Sequence, residues 1–376
     1  MHVTVLSSLS LFARDDAAQL LTGHLAERYG AVTRVHYDDR TEGEGKVFYR
    51  IHQTLEGESA STAREVRLGE AEDCTSCFIR ADLDALLSEN AYDRGACLLV
   101  LPTGVSTSVV MGLANHHSHL AVESACLACI GAELEDDLWS SETLSSQGST
   151  SCSDERSLGE FFAAELAYAD TCVLTRHPLA CHEPSQDERG REILAHIAPH
   201  LTVFRSDIGA SSGCGCHSFT AVSARSMPGA LHLPESLQTP GNSSAGTSET
   251  ASATPEEPAV RRSSTTTGHF TTVLLTSPHL IDAQALGQHL PAIVQGAVRV
   301  RGHIWLSSHY DERVAVEGIG PTVWLQTHRP WAEEPSTSIA ITGEDLDPAE
   351  LQDLLNRCTI DGDDIARHLL QETNPR

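Results

Sequence analysis

Apolar residues fall in short blocks separated by polar turns, and the spacing changes from block to block. Val3 to Leu6 reads as a strand. Asp15 and Asp16 then open a helix carrying Leu20, Leu21 and Leu25, and Gly30 closes it. Acidic residues suit the positive end of a helix and glycine its exit. Ala31 to Tyr37 and the alternating Val47-Phe48-Tyr49-Arg50-Ile51 read as strands, and Phe78 to Leu87 as a helix. The continuous run Ala96-Cys97-Leu98-Leu99-Val100-Leu101, ended by Pro102-Thr103-Gly104, has the character of a strand buried on both faces. Leu120 to Ile130 is a second such run. Phe161 to Ala169 with Thr171 to Leu174, and Arg191 to Ile197 with Leu201 to Phe204, repeat a helix-to-strand step. Alternating β and α segments over this length predict a doubly wound α/β domain with a mainly parallel sheet.

From Ser226 to Thr267 the pattern dissolves into Ser, Thr, Pro, Gly, Ala and Glu, a composition with little to bury, so these residues are expected to form a disordered linker. Beyond it, Phe270 to Leu275 reads as a strand and Ile281 to Val294 as a helix. Ala297 to Leu306 reads as a strand pair hinged at Gly302, and Ser338 to Ile341 as a further strand. Asp347-Pro348-Ala349-Glu350 has a cap, a proline at the first helical position and a glutamate two places on, ahead of Leu351, Leu354 and Leu355. The expected division is therefore 1–225, an α/β domain; 226–267, a linker; and 268–376, a small α+β domain.

Charge narrows the function. The 376 residues carry 25 Lys and Arg against 52 Asp and Glu, a net −27, and all three parts are acidic. Such a surface disfavours a direct grip on nucleic acid or an anionic membrane and suits a basic protein partner. No run approaches the roughly 18 apolar residues of a membrane span, and the start has no basic leader, so a cytoplasmic location is expected. Eleven cysteines without a secretion signal favour thiols or metal ligands over a disulfide framework. Lys46 is the single lysine.

Three segments resemble the CobW family of metal-homeostasis GTPases. Asp73-Cys74-Thr75-Ser76-Cys77-Phe78-Ile79-Arg80-Ala81-Asp82-Leu83 is similar to that family's G-C-x-C-C-x-x-R-x-D-L. Gly296 to Leu306 is similar to the opening of its C-terminal domain, and Ile341 to Leu351 to the strand-to-helix passage near its end. The resemblance implies a P-loop-NTPase-like domain followed by a CobW-type C-terminal domain, with zinc and GTP as the ligands to look for.

Departures from the family pattern fall on the nucleotide elements. A phosphate loop needs G-x-x-x-x-G-K-[ST], whose backbone N–H groups, lysine and hydroxyl hold phosphate and Mg²⁺. Here the turn reads Leu6-Ser7-Ser8-Leu9-Ser10-Leu11-Phe12-Ala13-Arg14-Asp15. Lys46 does not fit the motif. The acidic residue of the next loop is replaced by Leu101-Pro102-Thr103-Gly104, and the guanine-reading N-K-x-D by Thr175-Arg176-His177-Pro178. Arg14 and Arg176 are the alternative phosphate contacts. Loss of all three elements argues against GTP hydrolysis. This pattern, with Ser76 where the middle cysteine of C-x-C-C would stand, resembles the actinobacterial ribosome-hibernation-factor-recruiting branch. That resemblance implies recruitment of a hibernation factor to ribosomes under zinc limitation. A zinc metallochaperone GTPase with atypical nucleotide contacts and a plain zinc buffer are the alternatives.

Cys74 and Cys77, at a turn into a helix, are the candidate zinc ligands, although a complete site needs three or four. Cys126-Leu127-Ala128-Cys129 sits in an apolar run where residues three apart face opposite ways, which argues against joining it to the first pair. Cys214-Gly215-Cys216-His217 and Asn115-His116-His117-Ser118-His119 read as solvated loops or as metal sites. Asp82 and Asp84 are expected to favour a helix start, Trp305 to anchor a core, and Glu133 to Asp137 to form a solvated acidic loop. No catalytic residue is assigned.

Overall fold

A computed structural model describes residues 2–42, 45–56, 59–71, 74–88, 95–114, 116–117, 119–146, 154–177, 179, 183–206, 226–238 and 263–360. The chain divides into two units, Met1–Arg191 with His200–Met227, and Glu192–Pro199 with Pro228–Arg376.

The first unit is built in the order β1 (His2–Ser8), α1 (Leu11–Tyr29), β2 (Ala31–Glu42), β3 (Gly45–Glu56), β4 (Ser59–Ala60), β5 (Arg64–Glu70), α2 (Thr75–Ser88) and β6 (Ala96–Val100). It continues through α3 (Ser108–Ala114), β7 (Ala121–Ile130), α4 (Leu134–Trp139), α5 (Leu158–Tyr168) and β8 (Thr171–Thr175) to α6 (Pro184–Ile197), whose residues from Glu192 on are counted with the second unit, and β9 (Thr202–Arg205). Its sheet runs β4-β3-β2-β6-β1-β7-β8-β9, with β5 paired to β3. The six strands from β2 to β9 in that order are mutually parallel, and β3, β4 and β5 extend one edge antiparallel. This is the doubly wound α/β class read from the sequence.

The strands read as apolar runs because both faces are covered. On β1, Leu6 joins Ala13, Ala17, Leu21 and Leu25 of α1, whereas Val3 and Val5 join Ile79, Leu83 and Leu87 of α2 and Val110 of α3. Helix α1 begins a turn before the acidic pair that was expected to open it. The Ser10 hydroxyl caps the Ala13 N–H, leaving no acidic residue in the first turn. Exposed Leu11 and Phe12 hid that start from the pattern, since they break the apolar stripe. Gly30 ends the helix at φ 78°, with its N–H on the Ala26 carbonyl at 2.8 Å.

The second unit contains β10 (Ser264–Thr267), β11 (Phe270–Ser277), α7 (Ala283–Ile293), β12 (Ala297–Ile304), β13 (Glu312–Ile319), β14 (Thr322–Pro330), β15 (Thr337–Gly343) and α8 (Pro348–Asn356). Its six strands, in the order β10-β11-β15-β12-β13-β14, are all antiparallel. Leu286 and Ile293 of α7 and Leu351 and Leu355 of α8 pack on Val273, Leu275, Val300, Ile304, Val316, Ile339 and Ile341 of one sheet face. Asp347 caps α8 as its sequence foretold, accepting from the N–H groups of Ala349 and Glu350.

Several expectations change. Residues 297–304 form one strand, not a hinged pair. Gly302 is required because a Cβ there would lie 2.1 Å from the Ser338 carbonyl oxygen of the neighbouring strand. Both ends of the segment read as a linker are ordered. Ser264–Thr267 is a β10 edge strand, and Leu237 is buried; residues 239–262 lie outside the described residues. Polar composition concealed β10, yet threonine pairs well on a half-exposed strand. Strands β13 and β14 went unread because β14 is an edge whose Gln326, Thr327, His328 and Arg329 break the alternation. Among the described residues no helix is long and apolar enough to cross a membrane.

The sheet face opposite α7 and α8 is charged. Arg299 and Arg301 of β12 both reach Glu317 of β13, at 2.5 and 3.0 Å, and Glu317 also accepts from the Gly229 N–H at 2.8 Å. All three charged side chains are buried, and burial lowers the Arg301 pKa to about 10. Removing one partner strands the others in low dielectric. Glu317→Gln is therefore expected to cost about 3 kcal/mol, read as a lower urea midpoint for loss of the C-terminal sheet signal.

Candidate functional site

In an open parallel sheet, ligands bind outside the carboxyl ends of strands where the winding reverses. Here that point lies between β1 and β6: the chain leaves β1 for β2 and leaves β6 for β7 on the other side. Only Leu9 and Ser10 separate β1 from α1. The Ser8 hydroxyl donates to the Ala128 carbonyl at 2.9 Å and accepts from the Ser10 N–H at 3.1 Å, and the Ser8 carbonyl accepts from Gly104 N–H at 3.0 Å. The Ser8 hydroxyl is thus turned inward, while Leu11 and Phe12 at the start of α1, 49% and 48% exposed, point outward.

Beneath the turn lies a carboxylate not singled out in the sequence. Glu165 of α5 is 1% exposed and accepts from the hydroxyls of Ser7 and Thr107, each at 2.6 Å, from the Ser106 hydroxyl, and from the Thr107 N–H at 3.1 Å. It joins the end of β1, the loop after β6 and α5. The signal was present, since Leu158, Phe161, Phe162 and Glu165 follow the spacing of one buried helix face.

The alternative phosphate contacts are committed elsewhere. Arg14 is 1% exposed; it donates from Nη1 to the Tyr37 carbonyl at 3.2 Å and from Nε to Asp15 at 2.9 Å. Lys46 sits on β3, three strands from β1, and pairs with Asp39 at 2.8 Å. Arg176 pairs with Asp187 at 2.9 Å. Beside it, at the ends of β7, β8 and β9, Gly131, Thr175, Asp187, Arg191 and Arg205 line a cavity of about 10 Å³, room for one water. A Cβ on Gly190 would lie 2.1 Å from the Gly131 carbonyl oxygen, so α6 closes tightly on the end of β7.

Cys74 and Cys77 flank the start of α2. The Cys74 sulfur accepts from the Cys77 N–H at 3.4 Å, Cys74 is half-buried, and Cys77 is exposed. Among the described residues no cluster of three or more His, Cys, Asp or Glu side chains is arranged to hold a metal. Two thiols alone do not close a zinc site of three or four ligands. Cys126 and Cys129 face opposite sides of β7: Cys126 packs toward α1, and the Cys129 sulfur lies 3.7 Å from that of Cys172. Of the histidine run, His117 donates from Nε2 to the Asp84 carboxylate at 2.7 Å and stacks edge-on with His119; Asn115 and Ser118 lie outside the described residues, as do Cys214, Cys216 and His217.

Three further readings are corrected. Asp82 does more than favour a helix start: it accepts from the Tyr37 hydroxyl at 2.7 Å and pairs with Arg50 at 2.6 Å, pinning α2 to β2 and β3. Trp305 is half-buried, its indole donating to the Tyr310 carbonyl at 3.0 Å, and Leu306 takes the core position. Glu133 to Asp137 is not a loop throughout, since α4 begins at Leu134. Leu134 and Leu138 are its buried anchors, which draws Asp137 down among acidic neighbours.

With this geometry in place, the class is a doubly wound α/β domain joined to an antiparallel α+β domain. Residues 270–359 match the family described as the cobalamin synthesis protein cobW C-terminal domain. Two of the three resembling segments fall in that span, and the cysteine segment lies before it. No curated protein matches the chain. Among solved structures it is similar to the Zn(II)-bound YjiA GTPase from E. coli, at 15% identity over 96% of this chain and 99% of that one, with a TM-score of 0.36. A Zn(II)-bound triple mutant of YjiA GTPase gives 13% identity, the same coverage and the same TM-score.

Glu165→Gln would turn an amide N–H₂ toward donors, and is expected to cost about 3 kcal/mol, measured as a lower urea midpoint of the N-terminal sheet. Asp137 supplies a pH test. Burial, then Glu133, Asp136 and Glu142, raise its pKa to about 7. The folded form therefore holds a proton that the unfolded form has lost between about pH 4 and 7, so this group favours folding at low pH and ceases to as pH rises through 7. Relative to the parent chain, Asp137→Asn is expected to gain stability at pH 8 over pH 5. The gain is on the order of 1 kcal/mol after allowance for partial exposure, seen in paired urea titrations.

Proposed function

We propose that this chain works by binding a protein partner in zinc homeostasis and does not hydrolyse GTP. The observation that carries the reading is the β1–α1 turn: it is only Leu9 and Ser10, the Ser8 hydroxyl before it is engaged with the Ala128 carbonyl and the Ser10 N–H, the Ser10 hydroxyl caps Ala13, and Leu11 and Phe12 stand out at the head of α1. A phosphate cradle needs a longer loop of outward N–H groups and a lysine. Phe12 instead stacks edge-on with His177 at 4.9 Å, and Leu179 nearby in sequence is 83% exposed, which supplies apolar contact area suited to a protein. The net charge of −27 favours a basic partner and disfavours a direct hold on RNA.

The partner proposed is a ribosome hibernation factor or a ribosomal protein, recruited when zinc is scarce; the CobW-type C-terminal domain supports the metal-homeostasis setting. Zinc is proposed on Cys74 and Cys77, a pair that needs one or two more ligands than the described residues bring to it.

Calorimetric titration of the full chain with GTP and Mg²⁺, zinc-stripped and zinc-loaded, is expected to give no binding heat in either state. Micromolar binding that zinc shifts would transfer the assignment to a metallochaperone GTPase. With purified ribosomes and hibernation factor, co-sedimentation is expected to need the chain and to fall at least tenfold for Phe12→Asp. Zinc bound without any effect on co-sedimentation, and retained by the Cys74→Ala/Cys77→Ala variant, would leave a zinc buffer.

A further inference from the structure

In the second unit, Leu231, His303, Arg313, Arg329, Trp331 and Glu333 are among the side chains lining a cavity of about 270 Å³ at the end of the charged sheet face. It is large enough for a small organic molecule and too small for a nucleotide.

Its chemistry is unbalanced. Arg313 of β13 lies directly opposite Arg329 of β14 in the strand register, an arrangement of like charges that repels unless something sits between them. Arg329 makes no ion pair among the described residues. Arg313 donates from Nη2 to His303 Nδ1 at 2.7 Å, but among the described residues its buried Nε has no partner, and neither does the Trp331 indole N–H. Each such donor costs free energy until an acceptor reaches it. Because His303 Nδ1 accepts from Arg313, its proton is on Nε2, which adds a further donor beside Trp331, whose ring meets the imidazole edge-on at 5.7 Å. Arg313 Nη2 also reaches the Gly229 carbonyl at 3.5 Å, so among the described residues it is the Arg313 Nε and the Trp331 indole N–H that lack an acceptor. Exposed Glu333 partly offsets Arg313, and with exposed Glu334 it places negative charge on the lining. Those carboxylates disfavour a multiply charged anion.

We propose that this cavity binds a small molecule through a single carboxylate, clasped by Arg313 and Arg329, with its apolar part against Trp331 and Leu231. A planar carboxylate matches the guanidinium fork, and a flat indole wall favours an apolar tail.

The test titrates the full chain with acetate, butyrate and inorganic phosphate while following the Trp331 indole N–H resonance, assigned by its loss in Trp331→Phe. Butyrate is expected to shift it saturably in the millimolar range and more tightly than acetate, with sodium chloride at equal concentration leaving it in place. Arg313→Gln and Arg329→Gln are each expected to weaken butyrate at least tenfold. Arg329 lies on an exposed edge strand, so its variant keeps the test valid if Arg313→Gln fails to fold. Glu333→Gln is expected to admit phosphate. An unsaturable shift, one that sodium chloride reproduces, or butyrate binding untouched in Arg329→Gln would overturn the site. Phosphate binding more tightly than butyrate to the parent chain would overturn the ligand class.

Discussion

The N-terminal unit depends on one buried carboxylate. Glu165 gathers the Ser7 hydroxyl at the end of β1, the Ser106 and Thr107 hydroxyls and the Thr107 N–H after β6, and holds them from α5. These strand ends meet where a doubly wound sheet normally opens a crevice for a ligand. A carboxylate with four donors is well satisfied, and in low dielectric each bond strengthens its neighbours. The same saturation removes those donors from the surface. What the first turn of α1 then offers to solvent is apolar, Leu11 and Phe12, which is the surface the proposed binding role uses.

The second unit uses a related device at a different place. Glu317 neutralises Arg299 and Arg301 on the sheet face away from the helices, so two arginines and one carboxylate can be buried together. Further along that face the balance fails. Arg313 and Arg329 oppose one another, and among the described residues the Arg313 Nε and the Trp331 indole N–H are left without acceptors. A buried network closed on itself is structural, whereas an open one of the same residue types invites a ligand. The contrast between these neighbouring clusters on β12, β13 and β14 carries more weight than either alone.

Much of the architecture was legible because buried parallel strands and capped helices leave plain marks. Ala96 to Leu101 had to be covered on both faces, and Asp347-Pro348 had to start a helix; the structure agrees with each. Two of the unread strands owe their stability to pairing more than to burial. Strands β10 and β14 are edges made largely of Thr, Gln, His and Arg, and their hydrogen bonds to a neighbour have no local signature. The start of α1 was missed for a related reason: Ser10 caps it whether or not the next two residues are polar.

The candidate sites divide along the same line. Cysteine spacing singled out Cys74 and Cys77, and the structure sets them side by side at the head of α2. Glu165, by contrast, assembles from three segments as far apart as residues 7 and 165, and no spacing rule links such positions. Its one local mark is a charge on an apolar stripe. Such a residue either disrupts its helix or meets donors from elsewhere in the chain, and a helix of this apolar character cannot afford the first outcome. A lone acid on an otherwise buried stripe therefore indicates a polar centre in the fold even before its partners are known. In this chain that centre stands directly beneath the β1–α1 turn, at the carboxyl ends of the strands where the winding of the sheet reverses.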